Sequence, residues 1–249
     1  MSLPQPQSVS TPPLEESPRY YALVPCAGAG SRAGTVQPKQ YQTVAGQPLV
    51  MHTLRALAGV ARLHAGLVVL SPGDDFAWPQ GPQWPERFSR VSCGGASRAS
   101  SVFNGLQALG QAGARAQDWV LVHDAARCLI TPAMVDALID ACADDPVGGL
   151  LALPLPDTLK RAVDGRVAAT VPREDKWLAQ TPQMFRWGAL QRALALRAES
   201  GFAGVTDEAS ALEMDGQKPL LVTGSAHNFK VTYPQDFALA QAVLLSRTL

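Results

Sequence analysis

The stretch YYALVPCAGAGSRAG, residues 20–34, decides how the rest of the chain is read. Its first six residues, YYALVP, have the length and composition of a buried strand, and the small residues behind them let the backbone turn sharply and approach a ligand closely. GAGSRA satisfies the loose dinucleotide pattern G-x-G-x-x-[G/A], but that pattern needs a helix beginning at the turn and an acid about 20 positions later. The first convincing helical pattern starts near Pro48, and residues 51–54 carry no acid. A P-loop needs G-x-x-x-x-G-K-[ST], and neither Gly28 nor Gly30 leads to one. What remains is a long loop from Cys26 to about Gln47, holding Gly28, Gly30, Arg32 and Lys39. On the residues alone it is either a triphosphate cradle with two fixed cations or a surface loop with two solvated ones.

Outward from this loop, short apolar runs alternate with helical patterns. GLVVLS (66–71), WVLVHD (119–124), GGLLALP (148–154) and PLLVTGS (219–225) read as buried strands. Residues 48–60, 97–111, 131–145 and 186–200 place apolar side chains at helical spacing, Thr131-Pro132 supplies a cap and first helical residue, and a last helix is predicted from near Pro234. This alternation predicts an α/β fold, a mostly parallel Rossmann-like sheet with helices on both faces. Two stretches break it. The proline- and tryptophan-rich residues 75–88 have no period and read as a surface connection. TLKRAV and RVAATV flank Asp164-Gly165, a strong hairpin signal, so residues 154–176 are expected to form a projecting arm; a lone two-stranded arm is marginal, which favours pairing with a second subunit.

Composition narrows the partners. The 249 residues carry zero formal net charge and no Lys/Arg block, which argues against nucleic acid; cations matter singly here. Cys26, Cys93, Cys128 and Cys142 are scattered and form no C-x-x-C, so they read as small buried thiols in a reducing compartment. Residues 1–19, rich in Pro, Ser, Gln and Glu, read as a disordered tail rather than a signal peptide, and residues 20–249 as a single domain. No apolar run reaches the roughly 18–20 residues of a membrane span, so a cytoplasmic protein without membrane contact is expected.

The loop resembles that of sugar-nucleotide and related nucleotidyltransferases, G-x-G-x-R followed by P-K, here Gly28, Gly30, Arg32, Pro38 and Lys39. GGASRASSV (94–102), VHDAARC (122–128), AQTPQMF (179–185), TDEASALE (206–213) and NFKVTYPQDFALA (228–240) follow in order. Together they resemble the 2-C-methyl-D-erythritol 4-phosphate cytidylyltransferase family over roughly residues 20–247. The resemblance implies a homodimeric enzyme of the non-mevalonate isoprene pathway, which transfers the cytidylyl group of CTP to methylerythritol phosphate and releases pyrophosphate. A ribitol 5-phosphate cytidylyltransferase and a noncatalytic nucleotide-binding subunit are the alternatives.

The resemblance assigns the residues. Arg32, Lys39, Arg173 and Lys230 are the expected catalytic cations. CTP is expected against Ala27, Gly28, Ala29, Gly30, Gly94, Gly95, Arg98, Ser101, Asp124 and Ala125, with the two glycines at 94 and 95 leaving room for the base. The alditol phosphate falls to Arg127, Thr158, Arg173 and Lys230, with Arg173 reaching the partner's site. Asp124, at the carboxyl end of its strand, is the expected ligand of Mg²⁺ or another divalent cation. His123 reads as a packing neighbour. Thr206 reads as a helix cap, and Asp207 and Glu208 as acids of a first helical turn, without a catalytic part. Ala96 and Cys128 stand where relatives of this family commonly carry an acid and a proline, and His227 where some carry an acid.

Overall fold

The computed structural model describes residues 17–28, 37–78 and 84–247. In chain order the strands are β1 (Tyr20–Pro25), β2 (Thr43–Val44), β3 (Gln47–Pro48), β4 (Leu63–Val69), β5 (Phe88–Val91), β6 (Trp119–Val122), β7 (Gly148–Pro154), β8 (Leu159–Val163), β9 (Arg166–Val171), β10 (Trp177–Arg186) and β11 (Leu220–Thr223). The helices are α1 (Leu49–Ala58), α2 (Arg98–Gln111), α3 (Pro132–Cys142), α4 (Trp187–Ala198), α5 (Glu208–Glu213) and α6 (Pro234–Ser246), and Lys39–Tyr41 forms a single 3-10 turn.

Seven strands make one sheet in the order β11-β7-β10-β6-β1-β4-β5. Every pairing is parallel except those of β10, which runs antiparallel to both β6 and β7. Side chains alternate across β1 as strand geometry requires: Ala22 and Val24 join α1 and α3 on one face, Tyr21 and Leu23 join α2 and α4 on the other. A third buried cluster of Val44, Leu49, Cys128, Leu129, Val231 and Ala240 seats α6 against the loops beyond the sheet. Cys128 there is 2% exposed and fills packing space, which accounts for a small apolar side chain at that position.

The predicted strands and helices all form, with ends shifted by a few residues: β4 covers 63–69 rather than 66–71, and α3 ends at Cys142. The predicted arm is β8 and β9, paired antiparallel, with Asp164 at φ 50° and Gly165 at φ 74° in the turn. Two consecutive left-handed residues are what a tight hairpin with strand-like twist demands. β2, β3, β5 and β10 had no counterpart in the sequence reading, which took residues 26–47 for a loop. The expected surface connection is corrected too: Phe76, Trp78 and Trp84 pack edge-to-face in series, and Phe76 stacks on Tyr41 with ring centroids 4.1 Å apart. Residues 79–83 of that stretch lie outside the described residues, as does the expected tail to residue 16. At the end of that tail, Arg19 donates its backbone N–H to Asp118 at 3.0 Å and accepts from Trp119 at 2.8 Å. All four cysteines are free thiols; Cys26, Cys128 and Cys142 are buried, and burial pushes the latter two up to about 12. Among the described residues no helix is long and apolar enough to cross a membrane.

Candidate active site

β1 lies between β6 and β4, so the chain leaves the middle of the sheet to opposite sides and a crevice opens beyond the carboxyl ends of these strands. A cleft of about 330 Å³ occupies that position. Its wall is built from residues 25–28 at the exit of β1, Lys39 and Gln40, residues 95–98 and Ser101 before and within α2, residues 124–126 after β6, and Lys230.

The loops that form the cleft are stitched to one another by main-chain groups. Gly94 N–H donates to the Leu70 carbonyl at 2.8 Å, and the Ser71 hydroxyl donates to the Ala27 carbonyl at 2.6 Å. A Cβ on Gly94 would stand 2.4 Å from Ala27 Cβ and 2.8 Å from the Leu70 carbonyl oxygen. One on Gly95 would stand 2.4 Å from Ser100 Oγ. The two glycines are therefore demanded by the packing of the loop itself, whatever lies in front of them. Ser101 is 3% exposed and spends its hydroxyl on the same loop, accepting from Gly95 N–H at 3.0 Å and donating to the Ser97 carbonyl at 2.9 Å. Ala96 stands exposed on the cleft wall.

At the centre is a chain of ion pairs. Glu208, 2% exposed, takes Arg98 in a two-pronged pair at 2.6 and 3.0 Å, and Arg98 Nε donates to Asp124 Oδ1 at 2.8 Å. Asp124 Oδ2 pairs with Lys230 Nζ at 2.8 Å and lies 3.8 Å from Arg127 Nε. Burial alone would raise Asp124, but Arg98, Lys230 and Arg127 outweigh it and hold the carboxyl well below the usual carboxylate range. Burial likewise pulls Arg98 down, and the Glu208 and Asp124 carboxylates reverse it, so the guanidinium stays charged. Burial pushes Glu208 up against the opposing guanidinium; the short two-pronged geometry makes this an ion pair. Set against two carboxylates are three cations, with Lys39 beyond them, so the cleft keeps positive charge to offer an anion.

The sequence reading missed Glu208 as part of this site. It took Thr206 for the cap, whereas Asp207 caps α5, accepting from Ser210 N–H at 2.9 Å. Gln183 of β10 clamps that helix start, donating to Asp207 Oδ2 and accepting from Ala209 N–H, both at 2.8 Å. From the same strand Gln180 donates to the Ser225 carbonyl at 2.8 Å and accepts from Asn228 at 3.3 Å, holding the loop that carries Lys230. The antiparallel strand thus places both Glu208 and Lys230.

The Arg127 guanidinium donates to the Asn228 carbonyl at 2.8 Å and the Ala179 carbonyl at 3.3 Å, tying the loops on either side of it together. Thr158 and Arg173 stand exposed on the arm, where Arg173 donates to the Pro156 carbonyl, and neither lines the cleft of this chain. Ala29, Gly30 and Arg32 lie outside the described residues. Lys39 Nζ donates to the Val231 carbonyl at 2.6 Å on the cleft wall.

The expected metal ligand was tested against the donor set. Among the described residues no three His, Cys, Asp or Glu side chains converge as a metal site. Both Asp124 oxygens already accept from cations, and His227, in place of an acid, is exposed. These residues do not fit a metal held by the protein alone.

His123 is fully buried. Thr181 Oγ1 accepts from Asp124 N–H at 3.0 Å and shares a hydrogen bond with His123 Nδ1 at 3.0 Å, and Nε2–H donates to the Arg127 carbonyl, which can only accept, at 3.1 Å. Burial brings the ring's pKa down to about 4, so it is neutral at pH 7 and Nδ1 accepts from the Thr181 hydroxyl. The folded state binds fewer protons at this ring than the unfolded state, whose value is about 6.5, so the contribution is complete above that pH and is lost as pH falls to about 4. Its upper size is about 3 kcal/mol. Denaturant midpoints measured from pH 7 to pH 4 are expected to fall over that window, and to fall less steeply in His123→Gln; His52, lowered by burial, keeps a share of the slope, and the Asp124 carboxylate, depressed in the fold, adds to it from about pH 5 downwards.

A mostly parallel sheet with cations and a carboxylate gathered at its switch point is the arrangement of a nucleotide-handling α/β enzyme of the nucleotidyltransferase class. The family model for 2-C-methyl-D-erythritol 4-phosphate cytidylyltransferase matches residues 20–246. The chain belongs to that family. It is 55% identical over 231 residues to the 2-C-methyl-D-erythritol 4-phosphate cytidylyltransferase of Chromobacterium violaceum, covering 91% of this chain and 98% of that one. A bifunctional IspD/IspF enzyme of Albidiferax ferrireducens is 60% identical over 237 residues; these cover 95% of this chain and 56% of that longer protein. The crystal structure of a 4-diphosphocytidyl-2C-methyl-D-erythritol synthase superposes with a TM-score of 0.79 at 38% identity, covering 92% of this chain and all of that one. The cytidylyltransferase structure from Thermus thermophilus gives 0.75 at 33% identity, covering 92% and 99%.

Proposed function

We propose that the chain transfers the cytidylyl group of CTP to 2-C-methyl-D-erythritol 4-phosphate, forming 4-diphosphocytidyl-2-C-methyl-D-erythritol and pyrophosphate. The observation that carries this reading is the convergence of Lys39, Lys230 and the Arg98–Asp124–Glu208 chain on one cleft at the exit of β1. An oxygen of the alditol phosphate attacks the α-phosphorus, and the bond from that phosphorus to the bridging oxygen of pyrophosphate breaks. The attacking oxygen is already ionised, so no protein base or nucleophile is required. Charge grows on the leaving pyrophosphate; Lys39, which lines the cleft, is the proposed partner for it, and Arg32, outside the described residues, is proposed to share that role. Lys230, steered by Asp124, meets the incoming phosphate, and the main chain around Gly95 faces the base.

Mg²⁺, or another divalent cation, is the proposed cofactor and supplies neutralisation of triphosphate charge. Arg173 and Thr158 are proposed to complete the alditol phosphate site of a second copy. The exposed arm side chains Val163 and Val167, at 55% and 67%, support a homodimer through the arm. A cytoplasmic location fits these reactants.

The test is pyrophosphate release from CTP and Mg²⁺ with methylerythritol 4-phosphate, ribitol 5-phosphate or no acceptor. Release with the first alone is expected. Preference for ribitol phosphate overturns the acceptor, and silence with every acceptor from protein that still binds CTP overturns the enzyme reading.

A further inference from the structure

Lys39 sits on a turn of three residues, too short to hold its own shape. The residues beside it are bolted to two different loops. The Gln40 side chain donates to the Cys26 carbonyl at 2.9 Å and to the Gly28 carbonyl at 2.8 Å, tying the turn to the exit of β1. Tyr41, 6% exposed, donates its hydroxyl to Asp74 Oδ2 in the turn that follows β4. Burial, with Cys26 and Asp74 beside it, holds the phenol well above its ordinary range, so it stays a donor. The Asp74 carboxylate is itself aimed: its other oxygen accepts from Phe76 N–H and Trp78 Nε1–H, both at 3.2 Å. Phe76 lies parallel to the Tyr41 ring, 3° between planes, and Trp78 meets it edge-on at 5.3 Å.

We propose that Asp74 is a positioning residue for cytidylyl transfer: through the Tyr41 hydroxyl it sets where the turn holds Lys39 at the cleft. The same β4 exit carries Ser71, which holds Ala27, and Leu70, which holds Gly94. One loop with no side chain in the cleft therefore spaces the phosphate-facing turn from the base-facing glycines. This rests on the reading that Lys39 acts on the triphosphate. Misplacing a positioned cation by about 1 Å costs up to a hundredfold, so an anchor acting through Lys39 should register mainly in kcat.

The experiment is a double-mutant cycle on pyrophosphate release in the full chain, with thermal unfolding measured alongside. Asp74→Ala and Tyr41→Phe are each made in the native background and with Lys39→Ala. Tyr41→Phe keeps the ring stack and removes one hydroxyl, so it carries the test if Asp74→Ala does not fold. The expected result is a drop in kcat of roughly tenfold or more for either variant when Lys39 is present, little further drop when Lys39 is alanine, and partial recovery in Asp74→Asn, which keeps an acceptor for Trp78. Equal factors in both backgrounds overturn the proposal while leaving the role of Lys39 intact. An unchanged kcat in Lys39→Ala removes the reading on which the proposal rests.

Discussion

Replacing Lys39 with alanine is expected to lower kcat by about 10²–10³-fold, the usual size for losing one preorganised donor to developing charge. Lys39 donates to a backbone carbonyl and is only half-buried, so its removal costs the fold about 1 kcal/mol, the net worth of one such hydrogen bond. Stability and turnover should therefore separate cleanly. The check is single-turnover pyrophosphate release beside a denaturant titration. A variant that turns over normally, or one whose activity falls only in step with its folded fraction, contradicts the assignment. Lys39→Arg should not restore the native rate, because a planar fork cannot replace a compact ammonium group at the same point.

Glu208→Ala is expected to destabilise the fold strongly, by up to about 3–5 kcal/mol. Glu208 is 2% exposed, and it is the partner that fills two of the Arg98 donors. Without it the partly buried guanidinium is left with two of its three side-chain hydrogen bonds unmade, and Asp124 alone must balance Arg98, Lys230 and Arg127. Turnover should fall as well, since Lys230 is aimed by the carboxylate that Arg98 steadies. Glu208→Gln, which keeps an acceptor but not the charge, should lose less of both. Urea unfolding of the three proteins decides it: a loss below about 1 kcal/mol in Glu208→Ala shows that Arg98 turns to water and that the chain of ion pairs does not depend on Glu208.

Much of this was legible in the residues. The apolar runs and helical spacings carried most of the sheet and all the longer helices, because burial on a sheet or helix face leaves a local period in the chain. Asp164-Gly165 announced the arm, because its turn geometry needs consecutive left-handed residues. The order of short motifs pointed to the family and to the segments that meet at the cleft. These are properties of neighbours in sequence.

What escaped the sequence depends on partners far along the chain. WLAQTPQMFR reads as no strand, for its polar residues spoil any period; it is a strand because β6 and β7 flank it, and its glutamines and threonine are satisfied by α5, His123 and the Lys230 loop. Arg127 gave no sign in sequence of the two distant carbonyls, of Asn228 and Ala179, that its guanidinium ties together. Glu208 had the position of a helix-dipole acid until Arg98, 110 residues away, made it the buried end of an ion-pair chain. A charged side chain carries the same letter whether it faces solvent, a ligand or another charge, and only the folded chain brings the group that decides among them within reach.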